Sequence, residues 1–179
     1  MQETFMLPKE IDHTGNIELL NCSLLAIFSS AKCPASLILN TYDYAKEIRD
    51  GEMGVISGFH SPAEREVLEV LLKGKCPIVV GLGRRLKNAR IPVAWKTEIE
   101  KGRMLVISPF KEYQKYVTKE MSMQRNNLAA QIAGRVVIVH ASEGGGLGGQ
   151  VERWKEEGIW VEYLDRLMEN KINIAEEKA

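Results

Sequence analysis

Six short aliphatic runs recur along this chain, and between them the apolar spacing changes to that of a helix. The runs are Leu24 to Phe28, Gly54 to Ile56, Ile78 to Val80, Met104 to Ile107, Val136 to Val139 and Ile159 to Leu164. Their near-continuous apolarity suits strands covered on both faces, as in a parallel sheet. Strand and helix alternating in this way require right-handed crossovers, which put helices on both faces. With 45% hydrophobic residues, 179 positions are enough for one domain with a sizeable core.

The predicted fold class is therefore α/β: a three-layer Rossmann-like arrangement, with a mainly parallel sheet of about six strands and helices on both faces. Ser61-Pro62-Ala63-Glu64 is a capping box with Pro at the first helical position. It opens a helix whose Val67, Leu68, Leu71 and Leu72 share a face and which Gly74 is expected to close. A second helix is expected from Thr118 to Ile132, ending at Gly134. Others fit Pro34 to Arg49, Pro92 to Lys101 and about Gln150 to Glu157. Residues 1–22 read as an N-terminal extension or edge strand, 23–172 as the domain, and 173–179 as a flexible tail.

Charge excludes some functions. Lys+Arg and Asp+Glu balance at 24 each, so no global field draws the protein to DNA or a membrane, and any nucleic-acid affinity must come from a local patch. Cys22, Cys33 and Cys76 form no CxxC pair, and the N-terminus is not signal-like; both point to a reducing cytoplasm. The apolar runs fall far short of the roughly 20 residues that cross a bilayer. Three histidines without ligand spacing give no reason to expect a metal, and no cofactor is called for.

In open α/β sheets, ligands sit outside the carboxyl ends of the strands. That rule selects the loops Ser29 to Lys32, Ser57 to His60, Gly81 to Arg85, Ser108 to Phe110 and Ala141 to Gly149. Gly58 permits a sharp turn, so that Ser57, His60 and free helix N–H groups can face a phosphate; the plainer reading is a capped strand-to-helix turn. Glu64 and Glu66 place negative charge in that first turn, which competes with an anion. From Val70 through Thr97 there is no Asp or Glu, while Lys73, Lys75, Arg84, Arg85, Lys87, Arg90 and Lys96 are basic. With Gly83 before it, Arg84 lies at the ligand edge and suits a phosphate, as does Arg125 beside Asn126. An anion is then gripped jointly by Arg84 and Arg125, with Gly58 giving closeness and His60 a hydrogen bond. Aromatic platforms near these loops are sparse, the candidates being Phe59, Phe110 and Trp95. The run Gly144-Gly145-Gly146-Leu147-Gly148-Gly149 permits close backbone approach, or forms a mobile loop.

In order, these loops resemble those of the DprA/Smf family of DNA-processing proteins, within the wider Rossmann-like group that includes the lysine-decarboxylase-like nucleotide-binding proteins. The matching stretches are Ala26 to Ser30, Val55 to Gly58, Ile78 to Gly83, Ile91-Pro92, Leu105 to Pro109, Arg125 to Ala130 and Val136 to Val139 with the glycine loop. The resemblance covers about residues 23–164. It implies a Rossmann-like module that binds single-stranded DNA or a phosphate-bearing nucleotide without chemistry, through Ser29, Ser30, Ser57, Gly58, His60, Gly83, Arg84, Arg125, Asn126, Gly144, Gly145 and Gly146. Where the family's second loop continues Ala-Arg-Gly-Ile-Asp, this chain has Phe59-His60-Ser61-Pro62. Its Arg-Asn-Arg becomes Arg125-Asn126-Asn127. Relatives of this fold often pair, so a homo-oligomer is an accompanying expectation.

Two other classes fit parts of the pattern. One is a nucleotide or nucleoside monophosphate hydrolase of the phosphoribohydrolase type, with His60 or Glu143 as acid/base and Arg125 on the phosphate. The other is an NAD(P)-dependent oxidoreductase, since Gly144, Gly146 and Gly149 satisfy GxGxxG with Glu162 and Asp165 further on.

Overall fold

Period-two alternation along each central strand sorts its side chains into two cores. The computed structural model describes residues 11–177. Its strands are β1 (Asp12–Gly15), β2 (Leu24–Ser29), β3 (Gly54–Ser57), β4 (Ile78–Gly81), β5 (Met104–Ser108), β6 (Arg135–His140) and β7 (Trp160–Tyr163). Leu25, Ile27, Val55, Ile78, Val80, Met104, Val106 and Val137 face one core. Leu24, Ala26, Phe28, Ile56, Val79, Leu105, Ile107 and Ile138 face the other. Successive side chains on a strand point to opposite faces, which is why an unbroken apolar run marks a strand buried on both.

The helices are α1 (Ala35–Ile48), α2 (Pro62–Leu71), α3 (Val93–Glu100), α4 (Lys119–Ala133), α5 (Gly146–Glu156) and α6 (Leu164–Glu177), with a short 3-10 turn at Ile17–Asn21. Residues of α1, α2 and α6 build the first core, and α3 packs Trp95 and Ile99 against it. The second core takes Leu128 to Ala130 of α4 and Val151 and Trp154 of α5; Trp154 stands 5.2 Å from the Phe28 ring. This gives the expected three layers.

The sheet has seven strands in the order β1-β5-β4-β3-β2-β6-β7. All pairs are parallel except β1, which runs antiparallel along β5 through Asp12↔Ser108 to Gly15↔Leu105. Within the described residues, the N-terminal segment therefore supplies an edge strand, as one of its two expected forms; residues 1–10 lie outside the description. The chain winds outward from β2 to β5, then crosses to the other side of β2 to add β6 and β7. The order thus reverses between β2 and β6, and a crevice opens there at the carboxyl ends.

Three boundaries differ from expectation. Helix α2 stops at Leu71, ahead of Gly74, because Arg103 satisfies its last carbonyls: Nη1 donates to Leu71 O at 3.0 Å and Nη2 to Leu72 O at 3.2 Å. Helix α5 begins at Gly146, so Gly146, Gly148 and Gly149 of the glycine run form its first turn, ahead of the expected start at Gln150. The last strand ends at Tyr163, and Leu164 starts α6, which runs through the segment expected to be a tail as far as Glu177. Its Leu164, Leu167 and Met168 pack on the first core, and Lys171 pairs with Glu47 of α1. Residues 178 and 179 of the expected tail lie outside the description. The cysteines are unpaired, and no described helix is long and apolar enough to cross a membrane.

Candidate nucleic-acid interface

Five loops at the carboxyl edge enclose two cavities that share a wall at His60 and Ser122. The smaller, about 410 Å³, is lined by His60, Arg84, Gln114, Lys115, Tyr116, Val117 and Ser122. It contains no carboxylate. The larger, about 500 Å³, lies at the switch point between β2 and β6. Its walls include Ser29, Ser30, His60, Glu64, Lys119, Arg125, Asn126, Gly145, Gly146 and Gln150.

The capping box forms as the sequence indicates, with Ser61 Oγ accepting from Glu64 N–H at 3.2 Å. Glu64 itself turns inward, and the competition with an anion expected of it does not arise at the helix end. Its carboxylate accepts from Ser29 N–H and His60 N–H, each at 2.9 Å, tying the β2 loop to the β3 loop. Burial raises its pKa, against those two hydrogen bonds and the charge of Arg125, which lower it. As the capping-box residue and a first-turn charge, Glu64 carries no signal in the sequence for this inward role.

Arg125 comes from α4 and is 5% exposed. Its Nε and Nη2 both donate to Asn126 Oδ1, at 3.1 and 2.9 Å, and Nη1 is buried without a partner. The bidentate fork expected of this residue is thus occupied from within the protein. The guanidinium lies against Gly58, where a Cβ would approach Cζ to 2.3 Å, and near Gly83, where it would meet Nη1 at 3.5 Å. Gly58 therefore serves for space; the turn itself is made by Phe59, a non-glycine residue at φ 52°. Burial lowers the pKa of Arg125, with Glu64 opposing. What it offers the crevice is a fixed positive charge at the floor.

Ser57, Gly58 and Gly83 are buried and line neither cavity. Ser57 Oγ accepts from Phe59 N–H at 3.2 Å, which closes the turn, and its full burial keeps the hydroxyl from a phosphate in either cavity. Ser29, Ser30, Arg125, Asn126, Gly145 and Gly146 are brought together in the larger cavity, Arg84 lies in the smaller, and His60 lies between. Gly144 turns the chain at φ 66° and lines neither; Glu143 is exposed and also lines neither. Glu162 pairs with Arg135, at 2.9 Å, on the β6–β7 side of the sheet, so the expected acid of a dinucleotide site is engaged elsewhere.

His60 is exposed at the cavity mouth. Loss of water around its ring, then the charges of Arg125, Arg84 and Arg65, lower its pKa from 6.5 to about 4. The imidazole is neutral at physiological pH. Of the expected stacking platforms, Phe59 is buried in the first core and Trp95 packs against it. Phe110 is half-buried, and the exposed rings on the irregular stretch after β5 are Tyr113 and Tyr116. Arg85 lies 5.0 Å from the Tyr113 ring centre, and Lys115 lies 5.3 Å from that of Tyr116. The signal was present as Tyr113-Gln114-Lys115-Tyr116, basic and aromatic residues interleaved after a strand end.

A basic crevice at the carboxyl edge of a mainly parallel, doubly covered sheet defines a Rossmann-like ligand-binding domain. The chain belongs to the family of DNA recombination-mediator protein A, whose model matches residues 1–171. Its fold is similar to that of DNA processing protein A from Streptococcus pneumoniae, at TM-score 0.68 and 22% identity, over 86% of this chain and 54% of that one. It is similar also to DNA processing protein A from Helicobacter pylori, a structure described for its single-stranded DNA binding mode. There the TM-score is 0.71 and identity 16%, over 91% of this chain and 77% of that one. The chain thus spans about half the length of the pneumococcal protein. No individual curated protein matches the sequence.

Proposed function

We propose that this domain binds single-stranded DNA along the smaller cavity, without chemistry on the strand. The observation that carries the reading is a cleft lined by Arg84, Lys115, Tyr116 and neutral His60 with no acid among its walls. Non-specific strand binding needs cations that follow the backbone and rings that accept any base. Arg84 has no side-chain partner among the described residues, and the Arg85–Tyr113 and Lys115–Tyr116 pairs place ring and charge side by side. Family membership and the strand binding described for the Helicobacter pylori relative support this choice over other polyanions. The two enzyme alternatives have less in their favour, since Glu143 and Glu162 stand away from both cavities.

The test is fluorescence anisotropy with a labelled single-stranded oligonucleotide. Log affinity is expected to fall with log salt by about 0.7 per neutralised phosphate. Arg84→Ala is expected to weaken binding about tenfold and flatten that slope by about one such increment. Tyr116→Ala is expected to remove about 1–3 kcal/mol of stacking without changing the slope. Binding indifferent to salt and to both substitutions would overturn the reading.

A further inference from the structure

Two walls of the smaller cavity are tied together by the chain itself. Ser108 Oγ donates to the Arg84 carbonyl at 2.6 Å and accepts from Phe110 N–H at 3.1 Å, which fixes the loop after β4 to the stretch after β5. At the far end of that stretch Val117 rests against Gly83, where a Cβ would stand 2.9 Å from Val117 Cγ1. Between these anchors Gln114, Lys115 and Tyr116 form one wall, and His60, Arg84 and Ser122 complete the cavity. At about 410 Å³ it falls toward the lower end of small-molecule sites, which suits a single base turned in from a strand.

Among the described residues, the side chains of His60, Arg84, Gln114, Lys115 and Ser122 make no hydrogen bond or ion pair within the protein, so their polar groups are free for a ligand. What they offer is lopsided. Arg84 and Lys115 only donate. Gln114, Ser122 and the neutral His60 ring both donate and accept, and no carboxylate stands among them to accept alone. The guanidiniums of Arg125, Arg84 and Arg65 add a positive potential, the same field that helps to hold the His60 ring neutral. Such a surface stabilises a carbonyl oxygen, whereas an exocyclic amino group meets like polarity there. The bases differ in this respect: guanine presents O6 and N7 and thymine O4 as acceptors, while cytosine and adenine present amino groups.

We infer that the smaller cavity reads base identity. It takes a base stacked on Tyr116 and selects the keto bases thymine and guanine over the amino bases cytosine and adenine. Gln114, His60 and Ser122 stand at the base edge, and Arg84 is left to the phosphate backbone. This rests on the strand-binding reading and adds to it a specificity that cations and rings alone do not give.

The experiment is anisotropy on the full chain with oligonucleotides of equal length made of deoxythymidine, deoxyuridine or deoxycytidine, at fixed salt and neutral pH. All three are pyrimidine strands, so stacking differs little among them. The thymine and uracil strands are expected to bind about tenfold tighter than the cytosine strand. Gln114→Glu, on the exposed stretch after β5, supplies an acceptor for the cytosine amino group. It is expected to weaken all three strands by repelling phosphate, and to bring the thymine-to-cytosine ratio to about one or below. Ser122→Asp, in the opening turns of α4 where an acid suits the helix dipole, is expected to move the ratio the same way. Equal affinity for the three strands, or a ratio that neither substitution moves, overturns the inference and leaves strand binding standing. A uracil strand that binds like the cytosine strand traces the preference to the thymine methyl group, and overturns it as well. Failure of all three strands to bind sinks the strand reading, and this inference with it.

Discussion

Arg103 and Arg125 are both largely enclosed by protein, at opposite edges of the same sheet, and their surroundings could hardly differ more. Arg103 sits at the amino end of β5. Its Nε donates to Glu98 at 2.6 Å, Nη1 to the carbonyls of Leu71 and Cys76 at 3.0 Å each, and Nη2 to Leu72 O at 3.2 Å. Glu98 in turn is held below the usual carboxylate range, because hydrogen bonds from Lys101 and Arg103 outweigh its burial. Arg125, at the carboxyl edge, has one amide oxygen for two of its nitrogens and nothing for the third. A buried polar group without a partner costs stability, so its persistence points to work done on a ligand. The first arginine is a structural clamp, and the second is a charge held ready.

The comparison breaks most sharply on stability. Arg103→Met leaves Glu98 with Lys101 as its remaining side-chain partner and takes a donor from three carbonyls, and losing one partner of a buried charge pair costs about 3–5 kcal/mol. For a chain of this size that lowers Tm by on the order of 10 °C. Strand affinity of the folded fraction is expected to be unchanged. Arg125→Met removes one unpartnered nitrogen together with two bonds to a single amide oxygen, so the cost is expected to be smaller, about 1–2 kcal/mol. Strand affinity is expected to fall severalfold, through loss of a positive charge that lines the neighbouring larger cavity and acts on the smaller one at a distance. Thermal melts and anisotropy on both variants decide the matter; equal Tm losses would erase the distinction.

Gly58 sharpens it further. An alanine there drives its Cβ into the guanidinium, at 2.3 Å from Cζ, and the end of a long side chain is what must give way. Gly58→Ala is expected to weaken strand binding severalfold, by moving Arg125. In the Arg125→Met background the same change is expected to do almost nothing, because the atoms it displaces are absent. A double-mutant cycle with additive effects would refute the coupling.

How legible was all this in the residues themselves? The central strands were, because a run such as Val136 to Val139 leaves no polar face and must be covered twice. Helix α6 was not: strand β7 passes into it at Leu164 with no turn residue between, so no start signal marks the helix, and its end at 173–177 reads as a tail. Loops selected by the topological rule line the two cavities, yet sequence adjacency says nothing of depth. Ser57 and Gly58 stand next to His60 in the chain and beneath the surface in the fold, because the Phe59 turn drives its ring inward and carries His60 out. Nor does the sequence separate a satisfied arginine from an unsatisfied one. That distinction belongs to partners from distant elements, with Leu71 lying 32 residues from Arg103.

The smallest expected effect concerns the pH response that the charge around Arg125 imposes on His60. In the free protein, partial burial and three guanidiniums keep His60 neutral down to about 4. A phosphate in the crevice offsets those positive charges and lets the pKa rise back toward 6.5. The bound form then carries a proton that the free form lacks, so affinity is expected to rise severalfold as pH falls from 6.5 toward 4, and to be flat above that window. Glu64, buried nearby with a raised pKa, responds to pH as well, but it is shared by wild type and His60→Asn. The difference between their affinity profiles at fixed salt therefore isolates the imidazole. A profile identical in the two proteins would show that Arg125 and its neighbours do not set the protonation of His60 during binding.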